Sequence, residues 1–510
     1  MFPGVTPPFA KFSWPATEVK EDTFMNVDLN EGVPALSLPT EIACIVFKMA
    51  RIPPPSFDTL VASEKESQRM EINISQVCHL WRSMALTYPD LWSTFAHDDL
   101  WSSQISTDCL SMYLERSCGH LIDLHFRLGD NKREDWLDTV ELLVAHASRW
   151  RRVSLHISRA WPADYLRARI ECISVPNLEL FEIVTPQFKP EQLASGAFHR
   201  PRPYFKGGAP KLTSTRLDCL SFIVCSPLDW HTFSLVTLQI EDNCATEAPW
   251  TVLISILSTP SLKNLSLVGE IFHAPLPEEL TRPATATNLV NFRCSDHVVI
   301  LFFFQHIRSS SLELLIIKDL CLNHLPQTNF ENTGHCSFPS VTTLILLNCF
   351  QDGSHLKRLV NSVRNVQRLT LVHCSVNIMD NLITGSDGRM LWPALETVIL
   401  FRPTSNVVSI RRRDDTVRYL TMFQERSRVI NKKCKLGLHE AQAYRWQQSN
   451  QKTWTKFLSL GYYLRAFNSD TDEGQVVPWP AKQNTPFDKT SEQHFSTMES
   501  FSHLAMHYEY

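Results

Sequence analysis

The sequence predicts an α/β chain, an N-terminal helical unit followed by an irregular solenoid of short repeats with a parallel sheet on its concave face. Three observations predict it. An apolar triplet recurs at near-constant spacing from Leu121 to Leu400. Two segments between Leu38 and Trp92 carry apolar residues at helical spacing. The composition, 44% hydrophobic and 20% charged over 510 residues, is that of a globular chain long enough for more than one domain. A net charge of −4 gives no electrostatic case for binding nucleic acid.

Taken in order, residues 1–35 are rich in Pro and polar residues, lack periodicity and are expected to be disordered. Residues 36–95 form the helical unit. Leu38-Pro39 followed by Glu41-Ile42 suits a helix start, since Pro39 presets φ in the first turn and Glu41 favours the positive helix end. Ile42, Ile45 and Val46 make one apolar face. A second helix is expected to carry Val77, Trp81 and Met84 on one face, with Cys78 and Ala85 on its edge. Pro89-Asp90-Leu91-Trp92 then stops that helix and folds an aromatic back. So small a unit cannot bury all these side chains alone, so some of that surface is expected to meet a partner.

Residues 100–440 carry the repeat: apolar, two variable residues, apolar, one variable residue, apolar. Its clearest copies are Leu262/Leu265/Leu267, Leu312/Leu315/Ile317, Val341/Leu344/Leu346, Val366/Leu369/Leu371 and Leu395/Val398/Leu400. Weaker copies begin at Leu121, Trp150, Leu178, Leu212, Leu235 and Leu289. Successive first positions lie 29, 28, 34, 23, 27, 27, 23, 29, 25 and 29 residues apart. Proline stands just before several triplets, at 176, 210, 260, 339 and 393, where a strand begins and needs no ladder donor. Intervening segments, such as the one from His355, have helical periodicity and would pack behind the strands. Ser266, Gln239, Thr370 and Ile399, between the strand leucines, would point outward.

Residues 416–467 read as mostly helical, with a possible last strand at Lys435-Leu436-Gly437-Leu438; residues 441–467 would form a helical C-terminal cap. Residues 468–510 are expected to be disordered.

No constellation of catalytic, cofactor-binding or metal-binding residues emerges. There is no Walker A loop, GxGxxG or GxSxG sequence. His439-Glu440 begins like a zinc-protease motif, but Ala443 stands where the second histidine must be. The fourteen cysteines are scattered without a CxxC pair and read as reduced, mostly buried thiols; Cys219 and Cys225 suit a core rather than a nucleophile. The sequons at Asn73 and Asn264 are chance matches, and Arg411 to Arg413 suit a solvated loop. The longest apolar run, Val298 to Phe304, is too short to span a bilayer, and the Pro-interrupted N-terminus is unlike a secretory signal. A cytoplasmic or nuclear protein, or one of both compartments, is expected.

The helical unit resembles the F-box, whose usual form is L-P-x-E-I-L-x-x-I-F, then V-C-x-x-W-R and a closing L-W. Leu38, Pro39, Glu41, Ile42, Phe47, Val77, Cys78, Trp81, Arg82, Leu91 and Trp92 match it. Ala43 replaces the usual Leu, Val46 replaces Ile, and the segment between Met49 and Ile72 is longer and more polar than usual. The triplets resemble leucine-rich repeats, whose period is roughly 20–29 residues and which often place Asn or Cys three residues after the last strand leucine. Asn243, Cys349 and Cys374 stand there, which gives those cysteines a structural role. The whole layout looks most like the large F-box families of mushroom-forming fungi.

The resemblance implies the substrate-recognition subunit of a Skp–cullin–F-box ubiquitin ligase, itself no enzyme. Leu38, Pro39, Ile42, Val46, Phe47, Val77, Cys78, Trp81, Leu91 and Trp92 would dock the Skp-family adaptor, which brings cullin. The repeats would bind a protein target; no nucleic acid, membrane or cofactor is implied. The alternative is a non-catalytic repeat scaffold with a degenerate F-box and no ligase role, which Ala43 and the long insertion favour.

Overall fold

The computed structural model describes residues 38–50, 69–98, 107–128, 133–157, 160–184, 204–224, 234–241, 250–272, 284–319, 338–349, 359–372, 374, 392–401, 415–467 and 479. Residues 1–35, Cys225, Asn243, Arg411 to Arg413 and, Trp479 apart, 468–510 lie outside these residues.

The fold is α/β, built on one open sheet of fourteen parallel strands whose spatial order follows the chain. Its strands are β1 (Thr94–Asp98), β2 (Ile122–Leu128), β3 (Trp150–Ile157), β4 (Leu180–Val184), β5 (Ser214–Asp218), β6 (Thr237–Glu241) and β7 (Asn264–Val268). Ala284–Thr285 (β8) lies in a separate small sheet. The large one continues with β9 (Asn291–Cys294), leaves out β10 (Ile307–Arg308), which pairs with β8, and resumes at β11 (Leu314–Lys318). It ends with β12 (Thr343–Leu347), β13 (Arg368–Val372), β14 (Thr397–Phe401), β15 (Lys435–His439) and β16 (Tyr463–Phe467).

The eleven triplets supply β2 to β7, β9 and β11 to β14, and they pair in register. Leu265 lies opposite Phe292, Leu315 opposite Leu344, Leu344 opposite Leu369, and Leu369 opposite Val398. These side chains are all buried on one face, in a core that runs the length of the sheet. The helices lie behind them. His297–His306 brings Phe303 onto Phe292 with ring centroids 4.3 Å apart, and Trp250 meets Phe302 at 4.7 Å. Asp296 caps that helix, accepting from the Val298 and Val299 amides, and also accepts from Ile271 and Phe272 in the preceding repeat.

Two ladders outside the strands tie the repeats together. In several repeats the residue just after the triplet's first apolar position offers a carbonyl to two amides of the next repeat: Val236 accepts from Lys263 and Asn264, Thr342 from Gln367 and Arg368. Two residues before the first apolar position, another carbonyl accepts a side chain of the next repeat. Asn177 donates to Ser148, Asn288 to Pro260, Ser311 to Thr287, Ser340 to Ser310 and Asn365 to Pro339. Pro260 and Pro339, standing before their triplets, thus contribute acceptors.

Three expectations change. The C-terminal region is not a purely helical cap: after helices Glu440–Ser449 and Gln451–Ser459 the chain adds β16 to the sheet. His439 ends β15 and caps the first of these helices through Nδ1, which gives the His-Glu pair a local structural role. At the other end β1 already belongs to the sheet, so the junction expected between residues 95 and 100 falls across a strand. And the central positions expected to point outward are buried, Thr370 and Ile399 included.

Candidate functional site

Among the described residues the helical unit has α1 (Thr40–Ala50), α2 (Met70–Val77) and α3 (His79–Thr87), followed by a 3-10 turn at Pro89–Trp92. Pro39 precedes α1 and its carbonyl accepts from Ala43 at 3.0 Å, so it serves as the cap rather than inside the first turn. Ala43 and Phe47 face inward; Phe47 meets Trp81 edge-on at 5.1 Å. The single second helix expected from Val77 to Met84 is two helices. Cys78 takes an extended conformation between them, and its sulfur accepts from the Trp81 amide at 3.4 Å. The break separates the three apolar residues: Val77 is 60% exposed, Trp81 half-buried and Met84 buried.

The predicted adaptor residues therefore divide. Leu38, Pro39, Ile42, Val46 and Val77 are exposed, and Ile45, Met49, Leu80 and Leu86 join them. Phe47, Leu91 and Trp92 are buried, because they form the core beneath that surface and cannot also lie on it. Trp92 donates its indole N–H to the Ala85 carbonyl at 2.7 Å and packs on Tyr113, while Arg116 stacks over its ring at 4.4 Å. Cys78 and Trp81 are intermediate, the Cys78 sulfur capping α3 and the Trp81 N–H finding no acceptor among the described residues.

The exposed surface is held firmly from below. Tyr113 donates to buried Glu71, Arg69 lies over the rings of Phe95 and Tyr113, and the Arg82 side chain donates to the Ser75 carbonyl at 2.8 Å. Burial against Glu71 pushes the Tyr113 hydroxyl far above the usual phenol range, so it stays a donor. Lys48 and His120 both bond Asp90, at 2.9 and 2.7 Å; the Lys48 hydrogen bond, against the effect of burial, holds the Asp90 carboxyl below its usual range.

A second surface lies on the sheet's outer face. One register row runs His125, Ser154, Glu182, Arg216, Gln239, Ser266, Arg293, Ile316, Ile345, Thr370, Ile399, Gly437. Its first part is a continuous polar network. Glu182 accepts from Ser154, from His156 at 3.0 Å and from Arg216. Arg216 also grips Glu241 with two bonds of 2.9 and 3.0 Å, and Gln239 donates to Glu241. Arg293 donates to Ser266 at 2.6 Å and to Gln239 at 3.1 Å. Burial opposes ionisation of Glu182 and Glu241, but Arg216 overcomes it and holds both carboxyls below their usual range. Burial lowers the His156 imidazolium's stability, so the ring is a neutral donor to Glu182. Two carboxylates and two guanidiniums then balance in charge.

Beyond Arg293 the row turns apolar. Ile316, Ile345 and Ile399, with Leu314, Leu347, Val372, Phe401 and Phe467, form a second buried cluster that includes Trp479. The sequence signal for this surface was present as Glu182, Arg216, Gln239 and Arg293 at equivalent repeat positions; only register shows that their charges meet.

Cys349 and Cys374 are buried with their thiols toward the carbonyls of Leu347 and Leu346, at 3.4 and 3.2 Å. Cys219 is buried in the core too, while Cys118 and Cys172 are exposed. Among the described residues no group of three or more His, Cys, Asp or Glu side chains is placed to hold a metal ion, and no helix is long and apolar enough to cross a membrane. No model of a known protein family matches the chain, and no curated protein matches it either.

Proposed function

We propose that this chain is the substrate-recognition subunit of a Skp–cullin–F-box ubiquitin ligase, docking the Skp-family adaptor with its helical face and a protein target with its sheet. The observation that carries the reading is the exposed apolar surface of Leu38, Ile42, Ile45, Val46, Met49, Val77 and Leu80, packed over buried Ala43, Phe47, Leu91 and Trp92. An apolar surface this concentrated at one end of a chain suits a stable partner interface. Leu38, Ile42, Val46 and Val77 of that surface stand at positions that resemble the F-box. The sheet, read as an irregular leucine-rich-repeat solenoid, would hold the target.

The role is positional. Tethering a target beside a charged conjugating enzyme raises the effective concentration of its lysines, and no residue of this chain takes part in the chemistry. Such a complex would work in the cytoplasm, the nucleus or both. The test is co-purification of the full chain with a Skp-family adaptor and a cullin. Recovery of both supports the reading. Adaptor without cullin would favour a scaffold with no ligase role, and recovery of neither would overturn it.

A further inference from the structure

Trp479 stands twelve residues beyond the last strand, yet it is only 3% exposed and belongs to the apolar cluster on the outer sheet face. It sits where the polar row gives way to the apolar one. The Arg293 guanidinium lies 4.4 Å from its ring centroid, and the ring belongs to the same buried apolar cluster as Ile316, Ile345, Ile399 and Phe401. A fixed guanidinium beside branched aliphatic side chains suits the flat, electron-rich face of an indole.

Two features describe how this ring is held. Its flanking residues are Pro478 and Pro480, which have no amide hydrogen to add to a sheet ladder, so those neighbours contribute no such anchor. Among the described residues its indole N–H finds no acceptor, so its contacts there are to its ring faces. Trp92, Trp150 and Trp392 each donate to a backbone carbonyl, whereas Trp81 and Trp136 leave the donor unmet among the described residues, as Trp479 does.

We propose that the outer face from β9 to β14 is a binding site for an aromatic side chain, preferably tryptophan, on an extended peptide of a partner protein, and that Trp479 occupies it in cis. This inference rests on the target-binding half of the function proposed above and names the chemistry of what the sheet takes. Arg293 is the specificity residue, because its charge discriminates an indole from an aliphatic side chain of similar volume. The network through Ser266 and Gln239 fixes its direction.

The probe is a dye-labelled peptide of residues 471–488, TDEGQVVPWPAKQNTPFD, titrated by fluorescence anisotropy into the full-length chain and into its W479A variant. A tethered occupant competes at roughly millimolar effective concentration. The variant should therefore bind the peptide at least tenfold tighter than the wild type. The same peptide with alanine in place of its tryptophan should not bind, and W479F should fall between W479A and wild type. Equal binding to W479A and wild type, or equal binding of the alanine peptide, would overturn the proposal. So would loss of cooperative thermal unfolding in W479A, since a displaceable occupant is not needed for the fold. A wild-type dimer that W479A abolishes would assign the site to a second copy and also overturn it. Adaptor binding by W479A, measured alongside, separates failure of this site from failure of the ligase reading, which concerns the opposite end of the chain.

Discussion

Arg216 is the residue on which the outer-face network turns. It lies 2% exposed between two buried carboxylates, and removing it leaves both without their cation. Breaking such a group from one side costs about 3–5 kcal/mol, whereas an exposed pair such as Lys48–Asp90 is worth about 0–1 kcal/mol. Urea unfolding of Arg216→Met and Lys48→Met should reproduce that contrast. Acidity should act through the same group. The His156 imidazole and the Glu182 and Glu241 carboxyls all have lowered values in the folded chain, so the unfolded chain binds more protons as pH falls. Stability should begin to drop below pH 6.5, where an unfolded histidine protonates, and fall further below 4.5, where unfolded carboxyls do. Glu182→Gln should flatten the lower part of that curve; an unchanged acid limb would contradict the assignment. Gly437 gives a steric test, because a Cβ there would stand 2.5 Å from the Phe467 ring. Gly437→Ala should displace Phe467 and lower the melting temperature.

At the scale of elements, each strand contributes little alone and its burial depends on both neighbours. Leu344 is fully buried between Leu315 and Leu369, so Leu344→Ala should cost about 2–5 kcal/mol, with amide protection falling in β11 and β13 as well as β12. Loss confined to β12 would argue against coupled repeats. The triplets made eleven of these strands legible, because inward residues at a period of two are set by burial alone. β1 escaped notice since only Phe95 and His97 face inward, too few to form a triplet. β16 escaped because Leu464 and Arg465 are exposed and its pairing with β15 is irregular. The break at Cys78 was hidden for another reason: Val77 to Met84 keeps helical periodicity without Gly or Pro, and the interruption depends on a sulfur cap that spacing does not encode.

On the scale of the whole molecule, the helical unit and the sheet share one core, through Trp92, Phe95, Tyr113 and Phe126. Cutting the chain near residue 95 would expose that core and the edge of β2, so the two proposed roles are better separated by surface substitutions than by truncation. The candidate site was legible where it is local. Leu38, Ile42 and Val46 follow from helical spacing, whereas the burial of Phe47 depends on Trp81 and that of Trp92 on Tyr113 in the helix Thr107–Arg116, contacts that no local pattern contains. The most direct measurement is calorimetric titration of a Skp-family adaptor into the full chain and into the double variant Ile42→Glu, Val46→Glu. Both side chains are about half exposed, so the variant should melt like the wild type. Losing two interface anchors should cost ~2 kcal/mol or more, at least a thirtyfold fall in affinity. Unchanged adaptor affinity in a fully folded variant would contradict the account.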